Sequence, residues 1–234
     1  MLVVVAHPDD CDFGCAATTA RWTGMGVEVV YCLVTDGDAG GYDRGVSRPR
    51  MAEIRREEQR QAAAEVGVTD LTFLGHPDGR VYPTIDLRRD ISRVIRQKKP
   101  DRVVAQSPLM NFQRVFASHP DHRHTGQATL DAVYPDARNP FAHMELLDEE
   151  GLEPHTVGEM WLMTGPGASV TPDVVVDVTD VVERKLAALR CHESQYENWD
   201  SLAERVRAML KGNAVANGLA EDRMSESFLY VATG

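Results

Sequence analysis

Several common features are missing from this chain of 234 residues, and each absence narrows what it can be. Its four cysteines, Cys11, Cys15, Cys32 and Cys191, show no CxxC spacing, and a chain of this length does not depend on a disulfide framework, so they read as reduced thiols in or near the core. Positive charge is scarce: 25 Lys and Arg against 36 Asp and Glu leave a formal net charge of −11. Nucleic acids and anionic membranes are bound chiefly through excess Lys and Arg, so neither is expected as a partner, and a neutral or cationic small substrate fits better. No apolar run approaches the roughly 18 residues of a membrane span, and the first residues contain neither a basic region nor a cleavage site. A cytoplasmic location is expected. The chain has no GxGxxG or Walker pattern, and Asp36 and Asp38 would repel a phosphate from the Gly-rich stretch 35–41. No repeat, low-complexity tract or linker divides it, and one domain over residues 1–234 is expected.

What the chain does have begins at Leu2 to Ala6, which is apolar and largely β-branched without alternation, as in a parallel-sheet strand covered on both faces. It runs straight into His7-Pro8-Asp9-Asp10. Such strands place function at their carboxyl ends. His7 offers an imidazole and Asp10 a hard carboxylate, while Pro8 fixes one φ angle between them, so the pair can share one ion. Asp9 then points differently, and a carboxylate beside a metal-activated water is what a general base requires. The competing reading is a plain turn in which Asp9 or Asp10 caps the next helix. Far downstream, Ser118-His119-Pro120-Asp121-His122-Arg123 repeats the same residue types ahead of a helical pattern and supplies a further ligand. Lying three apart at a helix start, His119 and His122 can divide the work, one binding the ion and the other standing over the same pocket.

The two motifs together resemble the LmbE/PIG-L family of zinc-dependent N-acetylglucosaminyl deacetylases. The resemblance covers most of the chain, because Thr35 to Gly40, Arg55 with Glu58, Gly75-His76-Pro77-Asp78-Gly79 and Leu189 to Gln195 are similar to family landmarks in the expected order. It implies one zinc ion per chain on His7, Asp10 and His122, with other divalent metals also compatible. It also implies Asp9 as general base, His119 as oxyanion stabiliser and Asp121 as the residue that orients His119. Arg55 is implied to reach the substrate pocket, against the plainer reading of Arg55 and Glu58 as a surface ion pair at i, i+3. Asp78 is a candidate for binding sugar hydroxyls. His76, His124, His143 and His155 read as ordinary histidines outside the metal shell.

Taken in order, the apolar patterns and turn signals predict strands at 2–6, 27–34, 71–74, 102–106, 157–163 and 173–178. Helices are predicted over 12–25, 50–66, about 87–99, after the second histidine motif, and 179–192, the last capped by Thr179 or Asp180. A polar loop is expected through 111–114, and the excursion 134–153 is expected to rim a pocket and carry specificity. The remaining tail, with Trp199 and a helical pattern at 203–210, suggests packing against another subunit and leaves room for a homo-oligomer. Strands alternating with helices imply a Rossmann-like, mostly parallel α/β sheet with helices on both faces and the metal site at the strands' carboxyl ends.

The function this implies is hydrolytic removal of an N-acetyl group from an N-acetylglucosamine-containing small molecule or glycoconjugate by metal-activated water. Two other classes use part of the same residue set. Two histidines and a carboxylate also form the facial triad of Fe(II) oxygenases. A metal-stabilised binding module would need the ligands but neither Asp9 nor His119.

Overall fold

Leu2 and Val4 pack into one apolar layer while Val3 and Val5 pack into another, which is why β1 (Leu2–Val5) lacks polar alternation. The computed structural model describes residues 1–112, 115, 118–165 and 170–233. After β1 come α1 (Asp10–Gly14), α2 (Ala16–Gly24), β2 (Val30–Thr35), α3 (Arg48–Glu65), β3 (Asp70–His76), α4 (Ile85–Lys98), β4 (Arg102–Gln106) and α5 (Pro120–Asp131). The second part holds α6 (Met144–Asp148), β5 (Glu159–Thr164), β6 (Val174–Asp177), α7 (Val182–Arg190), α8 (Trp199–Ala216) and β7 (Ser225–Ala232). Of the loop expected over 111–114, residues 113 and 114 lie outside the described ones.

The strands form one sheet in the order β3-β2-β1-β4-β5-β7-β6. The β3-β2-β1-β4-β5 part is parallel throughout, and β7 runs antiparallel to both β5 and β6. Leu87, Ile91, Val94 and Ile95 of α4 and Ala128 of α5 cover one face. Cys11, Cys15, Ala20, Ala62, Ala63 and Ala188, from α1, the Cys15 break, α2, α3 and α7, cover the other. All four cysteines are free, as expected.

Three expectations change. The helix predicted over 12–25 is two helices parted at Cys15, whose backbone (φ −149°) leaves the helical region. The break is satisfied from a distance: Glu226 accepts from the N–H groups of Ala17 and Thr18, and Lys185, paired with Glu226 at 2.6 Å, donates to Phe13 O at 2.7 Å. A carboxylate on a helix N-terminus and a cation on the preceding carbonyl each complement a helix end. Secondly, neither Thr179 nor Asp180 caps α7, which starts after Val181 without a side-chain cap, because Thr179 donates to Asp177 at 2.6 Å instead. Thirdly, the tail does not continue a parallel α/β alternation. It supplies α8 and inserts β7 between β5 and β6 of the same sheet.

Candidate active site

The crossovers on either side of β1 lead to β2 in one direction and β4 in the other, so β1 and β4 flank a switch point, where open α/β sheets bind ligands. Both histidine motifs arrive there. His7 follows the carboxyl end of β1, Asp10 opens α1, His119 is the N-cap residue of α5, and Asp121 and His122 lie in its first turn.

His7 Nδ1 lies 3.2 Å from Asp10 Oδ2 and 3.2 Å from His122 Nε2, and His122 Nε2 lies 3.1 Å from Asp10 Oδ1. Ligands bound to one tetrahedral ion at ~2.0–2.2 Å stand about 3.3–3.6 Å apart, so this triangle is close to the size, and has the donor chemistry, of a three-residue metal site. The opposite edge of His7 faces two carboxylates, with Nε2 at 3.1 Å from Asp78 and 3.3 Å from Asp121. A proton on Nε2 is thereby fixed toward them, and the Nδ1 lone pair is left for an ion. Burial opposes charge on His7, but Asp10, Asp121 and Asp78 outweigh it and push its pKa up to about 12. The same concentration of negative charge would receive a divalent cation.

Asp121 differs from expectation. Its carboxylate accepts from the N–H groups of Gly79 and Val81 and faces His7, whereas His119 Nδ1 accepts from the Asp121 backbone N–H at 3.2 Å. The carboxylate therefore orients His7, and the peptide orients His119. With Nδ1 taken up as an acceptor, His119 carries its ring proton on Nε2 and can donate while neutral. Partial desolvation and the neighbouring His122 and His7 rings hold its pKa below the ordinary value. His119 lies close enough to His7 and His122 for one nitrogen of each to share a cluster, and its ring centroid is 5.3 Å from that of His7.

Asp9 sits at φ 90°, a left-handed conformation uncommon for a non-glycine residue, and occupies the N-cap position of α1 without making a capping hydrogen bond. The plain-cap reading thus loses its interaction. Its N–H donates to Gln59 at 2.7 Å, Gln59 donates to Asp12 at 2.9 Å, and His192 Nε2 meets the same Asp12 oxygen at 2.8 Å. The Asp9 carboxylate accepts from Tyr196 Oη at 2.7 Å on Oδ2, which also lies 3.4 Å from Arg55. Burial raises the Asp9 pKa and Arg55 opposes the rise.

Arg55 does not pair with Glu58. It is buried, donating to Pro8 O and to Gly37 O at 3.0 Å, while Glu58 accepts from the Ser194 N–H and hydroxyl at 2.8 and 2.7 Å. The Gly-rich stretch after β2 is the bed for this guanidinium: a Cβ on Gly37 or Gly40 would lie 2.4 or 2.5 Å from Arg55 Nη1. Asp78 is likewise turned inward, spending one oxygen on His7 and the other on the Ala39 N–H at 3.0 Å. Sequence reasoning missed Gln59, Asp12 and Tyr196, and gave His192 no role. Their only signal was their place beside motifs already singled out.

A cavity of about 290 Å³ opens beside Asp10 and His122, with Phe13 and Met163 as apolar walls and Met209 and Leu210 of α8 closing it. Residues 134–153 do not line it, and the carboxyl-terminal elements do. The excursion is drawn to α4 instead, where buried Arg96 donates to the carbonyls of Asp136, Ala137, Asn139 and Ala142.

The chain is similar in sequence and fold to proteins named as deacetylases. Diacetylchitobiose deacetylase of Thermococcus kodakarensis is 33% identical over 227 residues, covering 94% of this chain and 81% of that protein. Probable N-acetyl-alpha-D-glucosaminyl L-malate deacetylase 2 of Bacillus cereus is 29% identical, with 92% of this chain and 91% of that one covered. The structure of N,N'-diacetylchitobiose deacetylase from Pyrococcus horikoshii, complexed with its inhibitor MPG, matches with a TM-score of 0.87 at 31% identity, covering 99% of this chain and 83% of that chain. Residues 2–133 match the family model described as PIG-L, GlcNAc-PI de-N-acetylase. With both histidine motifs inside that match and the fold shared over its length, the chain belongs to the PIG-L family.

Proposed function

We propose that the protein is a zinc-dependent deacetylase that hydrolyses the N-acetyl group of an N-acetylglucosamine-containing small molecule or glycoconjugate. The observation that carries this reading is the triangle of His7, Asp10 and His122 donors with a carboxylate, Asp9, beside it. Two imidazole nitrogens and one carboxylate suit zinc with a coordination position left open. An ion held there supplies Lewis acidity toward water and toward an amide carbonyl. The oxygenase alternative uses the ligands alone and has no use for a base, whereas the relatives above are named deacetylases.

Asp9 accepts the proton that water loses as it adds to the acetyl carbonyl. His119 donates its Nε2 proton in a hydrogen bond to the oxygen on which charge develops, and the Asp121 peptide N–H holds the ring for it. Asp78 and Asp121 keep His7 turned with Nδ1 toward the ion. Collapse of the tetrahedral adduct breaks the C–N bond, the proton taken by Asp9 passes to the departing nitrogen, and acetate and free amine are released. Arg55 acts here by fixing Pro8 and Gly37 around Asp9 and not by touching the sugar.

The test is amine and acetate release from a panel of N-acetylglucosaminides, including N,N'-diacetylchitobiose and the malate and inositol conjugates. Equal amounts of both products, lost on chelation and restored by zinc, are expected; no release from any member would end the proposal. His119→Ala should keep its zinc and lose about 10²-fold or more in turnover, the usual weight of one oxyanion donor. Metal analysis of that variant checks the division of labour, because a metal-free protein would make His119 a ligand.

A further inference from the structure

The turn that follows α7 is held at three points, by Asp12 of α1, by Glu58 of α3 and by Asp9 of the loop after β1, and none of the three is a metal donor. His192 meets Asp12, Ser194 is held by Glu58, and Tyr196 donates to Asp9 Oδ2 at 2.7 Å. The Tyr196 ring is itself fixed, standing edge-on to Phe13 of α1 with centroids 5.6 Å apart and planes at 73°. Asp9, meanwhile, sits on a left-handed residue with no cap interaction of its own, so its carboxylate orientation must be set by side chains from elsewhere. Arg55 approaches the same oxygen at 3.4 Å, which is beyond an ordinary hydrogen bond.

We infer that Tyr196 is a positioning residue for the general base: its phenol holds Asp9 Oδ2 and so leaves Oδ1 as the oxygen that takes the proton. The inference rests on the function proposed above. A carboxylate free to rotate about its Cα–Cβ and Cβ–Cγ bonds would offer either oxygen at a range of angles, whereas one anchored oxygen presents the other in a fixed direction. Tyr196 acts through Asp9 and is assigned no contact with substrate.

Tyr196→Phe removes only the hydroxyl and keeps the ring on Phe13, so the fold and metal content should match the parent. The expected result, on whichever N-acetylglucosaminide the parent cleaves, is a kcat lower by about tenfold or more, the weight of one hydrogen bond to a charged group. KM should stay within about twofold, since only the base is disturbed. Placed on an Asp9→Asn background, the same change should cost nothing further in residual turnover, because the group it serves is already gone. A thermal-unfolding cycle with Asp9→Ala in place of Asp9→Asn, since alanine removes the acceptor that asparagine keeps, should give a coupling between positions 9 and 196, a readout that needs no activity. A kcat within threefold of the parent, an equal loss on the Asp9→Asn background, or a loss confined to KM would each overturn the assignment. A parent that releases no acetate from any substrate would instead remove the proposed function and this inference with it.

Discussion

Asparagine in place of Asp9 is expected to leave a folded, zinc-loaded protein whose kcat is lower by about 10²- to 10⁴-fold. Asparagine tolerates the left-handed backbone at φ 90° much as aspartate does, so the strain at this residue is unchanged. Tyr196 donates to Oδ2 and therefore selects the amide rotamer that keeps a carbonyl oxygen there. The amide nitrogen then occupies the place of Oδ1, where it presents N–H groups and cannot accept a proton. Loss should fall on kcat, with KM little altered, because the change removes basicity and not sugar contacts. Steady-state kinetics on the metal-loaded variant decides the matter. Turnover within a few-fold of the parent would end the general-base assignment.

His122→Ala should emerge without its metal. Two donors would remain of the three, and the donor lost is the one that meets both His7 Nδ1 and Asp10 at 3.1–3.2 Å. The consequence reaches beyond activity. An ion that binds only the folded protein adds about 4 kcal/mol of stability when present at a thousand times its dissociation constant. Zinc should therefore raise the melting temperature of the apo parent and leave that of His122→Ala almost unmoved. Full occupancy by elemental analysis, or an equal thermal response in both proteins, would remove His122 from the metal shell.

How much of this could be read in advance depended on how far a residue's role lies from its own neighbours in sequence. The apolar run before His7 announced β1, and the parallel centre of the sheet followed from similar runs at β2 and β4. His7, Asp10 and His122 were readable as potential donors because imidazole and carboxylate chemistry does not depend on the fold, and the structure brings these three together. The partner of Asp121 was not readable, since it is chosen by the N–H groups of Gly79 and Val81 from a turn some forty positions away. The same holds for Arg55, whose spacing from Glu58 suggests an ion pair while its contacts are backbone carbonyls of two other loops. β7 was the largest omission. It opens with Ser225-Glu226-Ser227, a polar run that resembles a loop, and these residues are buried because Asn213, Lys185 and the start of α2 satisfy them.

The antiparallel insertion of β7 also sets an order of assembly during synthesis. A ribosome delivers β4 and β5 well before residues 225–232, so the nascent chain carries the outer edge of β5 unpaired while α7 and α8 are still being made. An open edge of that kind is a template for pairing with another chain. A deletion that stopped short of residue 225 would keep every metal donor and the general base, yet it would leave that edge exposed permanently and strip Ser225, Glu226 and Ser227 from the cavity beside the site. Such a truncated protein should be limited by aggregation before its chemistry could be measured, so the carboxyl-terminal strand guards solubility as well as shape.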